Sequence, residues 1–280
     1  MMQSLWNWCI LPLTWIGFSW QNLIDKPKKG VDKWDQALSL FLSSNTNEST
    51  NLRSRLRVDK PEYFHIQQTE SWDCGIACLL MVLRWLRDNL SSPEKKSFDE
   101  QADRVWALKT VNTESIWSID LVHVLQQIRK TKKLKFSYLF ASRALEVDLH
   151  HQHLSYYEES FLDDQIRVTR LFQQAKEEDW SLIKLDAQLD LVQVASLVGR
   201  PDCLAIALVD NMVLMQKAES SNYAGHYIII SGVHSDKETF QIHNPDSLNP
   251  MDYISFPIFE KAWRAQGTDE DIIFLIAEGR

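Results

Sequence analysis

Glycine is scarce in this 280-residue chain, and none of its eight glycines falls in a G-x-G-x-x-G or G-x-x-x-x-G-K-[ST] run. Neither standard phosphate-cradling loop is therefore present. Basic clusters are equally thin. None is longer than RKTKK, Arg129 to Lys133, and it sits in a chain of net charge −8, which argues against nucleic acid as a partner. Cysteine is sparse too. Cys9, Cys74, Cys78 and Cys203 show no disulfide-framework spacing, which suits a reducing compartment, the cytoplasm first and the nucleus second. Cys74 and Cys78 have no His or carboxylate at ligand spacing nearby, so no metal is expected there. His150, His151 and His153, in LHHQHL, lack a second ligand cluster and read as a solvated loop or helix start.

What the chain does hold is apolar material for a core. It is 45% hydrophobic and 24% charged, the balance of a soluble globular protein. The segment Leu5 to Trp20 carries four tryptophans but is shorter than the roughly 20 residues of a bilayer span, and no Lys or Arg precedes it. It reads first as a packing or docking extension; interfacial membrane contact by its Trp residues and a cleaved targeting peptide are the alternatives. Residues 1–42 are taken as this extension, 43–57, rich in Ser, Thr and Asn, as a linker, and 58–280 as the core domain.

Within the core, EYFHIQQ (Glu62 to Gln68) is short and β-prone, and Ile76, Leu79, Leu80, Leu83 and Leu86 follow at helical spacing. Cys74 thus stands at a helix N-terminus. Further helices are expected over Asn112 to Lys130, about Tyr156 to Lys176, and Leu189 to Leu197. Strands are expected over Cys203 to Asp210, His226 to Val233, Thr239 to Pro245 and Asp271 to Glu278. Helices first and strands later predict an α+β domain, with a Cys-bearing central helix and a C-terminal antiparallel sheet.

A thiol reacts as thiolate, and a helix N-terminus favours the anion through its unpaired N–H groups and macrodipole. Packing alone also puts Cys at such positions. Three further residues favour chemistry. Gln68, six residues before Cys74, can fold back so that its amide and the Cys74 N–H form an oxyanion hole. His226 opens an apolar strand, and Asn244 or Asp246, at the end of the next strand, can accept from its second ring nitrogen and fix its tautomer. In this order the residues form a thiol-catalysis set.

The blocks QTESWDCGIACLLMVL and GHYIIISGV…FQIHNPD resemble the papain-like superfamily, in particular its bacteriocin-processing peptidase branch. SWDCGIACLLMVLRWL, TESIWSIDLVHVLQ and AQGTDEDIIFLI are similar to the eukaryotic guanylyl cyclase domain-containing family, over roughly Glu62 to Ile276. The resemblance implies a papain-like fold with Cys74 as nucleophile, His226 as base, Gln68 as oxyanion donor and Asn244 as orienting residue. The bacteriocin-processing enzymes have Asp where this chain has Asn244, so the set is of the Cys-His-Asn kind, with Asp246 as the substitute orienter.

The family label implies instead conversion of GTP to cyclic GMP. In that reading Ser71 and Asp73 recognise guanine, Arg84 holds phosphates, and Asp88 binds a metal; Mg and GTP enter as cofactor and substrate in this case alone. Three readings follow. The first is a thiol hydrolase or transferase on an amide or peptide-like bond of a peptide or protein substrate, without cofactor; the others are a non-catalytic papain-like module that binds a peptide or protein, and a guanylyl cyclase. Trp72 is expected to pack over the site entrance and screen Cys74 and His226 from water.

Overall fold

The computed structural model describes residues 36–39, 64–89, 98–132, 134–147, 161–216, 223–234 and 237–278. The expected tract at His150 to His153, the 43–57 linker and the Trp-rich segment lie outside them. Helix α1, Cys74–Asn89, starts with ten consecutive buried residues, Cys74 to Leu83. A helix apolar on every side must be enclosed on every side, and this one is. Helices α2 (Glu100–Val111) and α3 (Ser118–Lys132) pack beside it. Asp99 caps α2 by accepting from the Ala102 N–H at 3.0 Å, and Asn112, in the left-handed conformation, ends it.

The sheet has seven strands: β1 (Phe136–Ser142), β2 (Leu182–Lys184), β3 (Cys203–Asp210), β4 (Gly225–His234), β5 (Thr239–His243), β6 (Asp252–Ser255) and β7 (Ile272–Ala277). Their order is β2-β1-β7-β3-β4-β5-β6, antiparallel throughout except for β1 with β2. The period-2 pleat divides the core in two. Leu204, Ile206, Tyr227, Ile229, Ile273 and Leu275 join α1 and α3 on one face. On the other, Ala205, Ile228, Ile230 and Phe274 meet α5 (Leu191–Val198) and α7 (Phe256–Trp263), with Ala37 and Leu38 packed against them. Helix α4 (Phe161–Glu177) lies against α3, and α6 (Asn211–Leu214) is a single turn after β3.

The α+β expectation holds, and the Cys-bearing helix against an antiparallel sheet is the arrangement that a papain-like resemblance implies. Three local expectations change. The described part of EYFHIQQ forms no strand, its one ladder-like bond running from Gln68 N–H to Pro245 O at 3.1 Å. The helix expected from Asn112 begins at Ser118, because the Asp120 carboxylate accepts from Trp117 N–H at 2.8 Å and holds the preceding residues in a turn. And β1 and β2 insert into the sheet from the helical part of the chain, so helices and strands are not fully segregated.

Phe274 sits fully buried at the centre of β7, between β1 and β3. Phe274→Ala is expected to cost about 3–5 kcal/mol in urea unfolding; a loss below about 1 kcal/mol would show that the ring does not fill the core.

Candidate active site

Cys74 opens α1 where the helix meets β4. Its sulfur accepts from the backbone N–H groups of Tyr227 and Gly75, and the residue is 5% exposed. Gly75 permits the approach: a Cβ there would stand 3.0 Å from Leu121 Cδ2 and 3.2 Å from Tyr227 Cδ2. Tyr227 is itself fixed, its hydroxyl 3.1 Å from Ser118 Oγ. Cys78, one turn on, is fully buried, and burial holds its thiol well above the ordinary range.

His226 precedes Tyr227 on β4 and is also 5% exposed. Its Nε2 lies 2.7 Å from Asn244 Oδ1, and the same Oδ1 accepts from the Asp246 N–H at 2.9 Å. That second bond identifies the acceptor end of the amide, so Nε2 donates and the lone pair of the neutral ring sits on Nδ1. Burial lowers the His226 pKa, only partly opposed by the Asn244 bond and by the charge of Asp246. Orientation therefore comes from Asn244. Asp246, exposed, contributes its backbone N–H to the network.

Gln68 reaches the same place from the other side, because its N–H to Pro245 O ties it to the turn that follows Asn244. Its Nε2 donates to Glu70 O at 3.0 Å, leaving one amide hydrogen, and its buried Oε1 has no partner. The fold thus ties Gln68 to the turn after Asn244, Asn244 to His226, and Cys74 to Tyr227, the strand residue that follows His226. No hydrogen bond joins Cys74 to His226 in this arrangement.

Burial decides the thiol's protonation. Desolvation pushes Cys74 up to about 11, outweighing the N–H groups of Tyr227 and Gly75, with the negative charge of Asp73 pushing the same way. Burial therefore opposes both the thiolate that the helix terminus favours at Cys74 and the charged ring at His226. Trp72, two residues before Cys74, is half-buried.

Asp73 and Arg84 are committed elsewhere. Asp73, 1% exposed, accepts from Thr69 N–H (2.9 Å), Glu70 N–H (3.1 Å), Thr69 Oγ1 (2.8 Å) and Arg104 Nη1 (2.6 Å). Arg84 donates to His65 O and Glu100 Oε2 and lies over the Phe98 ring at 4.6 Å. Ten residues of helix separate Cys74 from Arg84, about 15 Å along the axis. Ser71 and Asp88 are exposed at opposite ends of this span. The residues named for guanine and phosphate do not converge, so this set does not fit a nucleotide and its metal; among the described residues no three His, Cys, Asp or Glu are grouped to hold an ion. Arg104 was not evident from the sequence, since nothing in the polar pattern of EQADRVWALKTV marks it as the buried partner of Asp73.

The family model described as guanylylate cyclase matches residues 63–275. The chain belongs to that family. Guanylyl cyclase 1 of Arabidopsis thaliana is 30% identical to it over 249 residues, covering 85% of this chain and 83% of the relative. Among solved structures, the peptidase domain of Streptococcus ComA, a bi-functional ABC transporter involved in a quorum-sensing pathway, aligns at 12% identity and TM-score 0.38, covering 76% of this chain and 97% of that one. A C39-like peptidase from Bacillus anthracis aligns at 11% identity and TM-score 0.41, covering 77% and 95%. Among the described residues of this family member, no helix is long and apolar enough to cross a membrane.

Burial pushes the Cys74 thiol up to about 11, above the range of an ordinary cysteine titration. Iodoacetamide alkylation of Cys74, followed by peptide mass spectrometry, should therefore accelerate about tenfold per pH unit from pH 7 to 10. A plateau below pH 8 would instead reveal a preformed thiolate–imidazolium pair.

Proposed function

We propose that this protein is a cysteine hydrolase of the acyl-transfer type, acting on an amide or peptide-like bond. The observation that carries the reading is the His226–Asn244 pair: an acceptor fixed by Asp246 N–H holds Nε2 as donor and leaves the Nδ1 lone pair beside the strand residue whose N–H contacts the Cys74 sulfur. In this reading the thiol gives its proton to Nδ1 as the sulfur attacks the carbonyl carbon. Oxygen charge then develops near the Cys74 N–H and the second Gln68 amide hydrogen. The imidazolium passes its proton to the leaving amine, and water completes hydrolysis of the thioester. The pair must close to hydrogen-bonding distance when substrate binds, as catalytic contacts commonly do on formation of the Michaelis complex.

A guanylyl cyclase is the second reading, supported by the name of the Arabidopsis relative and by that of the family. Against it stand the engagements of Asp73 with Arg104 and of Arg84 with His65 and Glu100.

The test is turnover of a library of short peptidyl-coumarin amides by purified protein. Cys74→Ala and His226→Ala should abolish it, and Asn244→Ala should lower it by about two orders of magnitude, consistent with the share of general base catalysis. Turnover unchanged in Cys74→Ala rejects the hydrolase. Metal-dependent cyclic GMP formation lost in Arg84→Ala but kept in Cys74→Ala supports the cyclase, and partner binding without any turnover supports a non-catalytic module.

A further inference from the structure

We propose that Arg104 is the positioning residue of the site, setting the place of Gln68 relative to Cys74; the inference rests on the hydrolase reading. Arg104 belongs to α2 and takes no part in the reacting set. Its guanidinium is a buried two-pronged anchor, Nη1 on Asp73 Oδ2 at 2.6 Å and Nη2 on Gln67 O at 2.9 Å, with its side chain 8% exposed. Asp73 gathers the interior of the same turn, accepting from the backbone of Thr69 and Glu70 and from the Thr69 hydroxyl.

Gln68 is therefore flanked by two restrained neighbours. The carbonyl before it is held by Arg104, the residue after it is held by Asp73, and its own N–H is held by Pro245 O. Its side chain starts from three anchored backbone groups and is tethered at its Nε2 by Glu70 O, whose own residue is held by Asp73. The Arg fork supplies two directed bonds to two acceptors at once. Lysine offers a point charge on a flexible stem and cannot reproduce both. An oxyanion donor acts through its placement, so a small displacement of the turn weakens stabilisation of the developing charge while leaving the thiol itself in place on α1.

Two electrophiles separate these effects. p-Nitrophenyl acetate acylates Cys74 through a tetrahedral oxyanion: the S–C bond forms, the thiol proton passes to His226, and p-nitrophenolate leaves. Iodoacetamide alkylates by direct displacement of iodide and forms no oxyanion. With Cys74→Ala as blank, Arg104→Lys in the full chain should slow acylation by about 10- to 100-fold and keep alkylation within about threefold of wild type. Gln68→Ala should slow acylation similarly alone but by less than about threefold in the Arg104→Lys background, since both act through one group. Asp73→Asn keeps the Oδ1 acceptor for Thr69 and Glu70 and weakens the Arg104 anchor, but it also removes a charge that holds the Cys74 thiol up, so its acylation should fall about 10- to 100-fold relative to its own alkylation rate; that ratio carries the test should Arg104→Lys fail to fold. Parallel changes in both reactions, or an undiminished Gln68→Ala loss, overturn the proposal. Wild-type acylation no faster than that of His226→Ala would overturn the hydrolase reading, and this inference with it, whereas selective wild-type acylation indifferent to Arg104→Lys overturns this inference alone.

Discussion

The enclosure of α1 is the constraint from which the site's character follows. Its first ten residues have no solvent-facing side, so the chain must wrap it with α2, α3 and the face of the sheet that carries Tyr227 and Ile229. The same enclosure removes water from Cys74. A helix N-terminus and the backbone N–H groups of Tyr227, Gly75 and Cys74 itself favour an anion there, yet desolvation is the larger effect and pushes the thiol up to about 11. Burial likewise disfavours the charged form of His226.

Around this dry centre the polar groups are arranged in closed sets. Asp73 saturates the turn before α1, and Arg104 balances its charge. Asn244 does the corresponding work on the other side, binding the imidazole and its own turn through one oxygen. A third set, Asp120 with Arg167 and the Trp117 N–H, fixes the start of α3 beside Tyr227; burial there lifts the Asp120 carboxyl to about 6 despite its cationic partner. Each set joins elements distant in sequence, so the geometry at Cys74 is set by contacts well outside its own helix.

Much of this was legible beforehand. The run from Cys74 to Leu83 has no charged residue, which marks a buried helix; Cys203 to Asp210 is an apolar β-branched run whose bounds match β3. The candidate set could be named because Cys74, His226 and Asn244 stand at or just beyond the ends of elements, while Gln68 lies in the loop before α1. Other parts were not. β1, in FSYLFAS, lies between helical segments and does not stand out from them, and β2 and β6 are too short to show a period. Arg104 looks like a solvated residue of a polar helix, and only tertiary placement makes it the partner of Asp73. The desolvation of the thiol is invisible to local helix electrostatics, since its surroundings include Tyr227, far along the chain.

The bond from Gln68 N–H to Pro245 O has a consequence for how such a protein is made. It joins two stretches separated by most of the domain, and the imidazole and its orienting amide belong to the later one. During synthesis the thiol emerges long before the residues that would put it to use, and closing so long a loop comes late in folding. A growing chain therefore carries Cys74 as an unassisted thiol, and whatever reactivity the finished architecture confers is withheld until its last strands are in place.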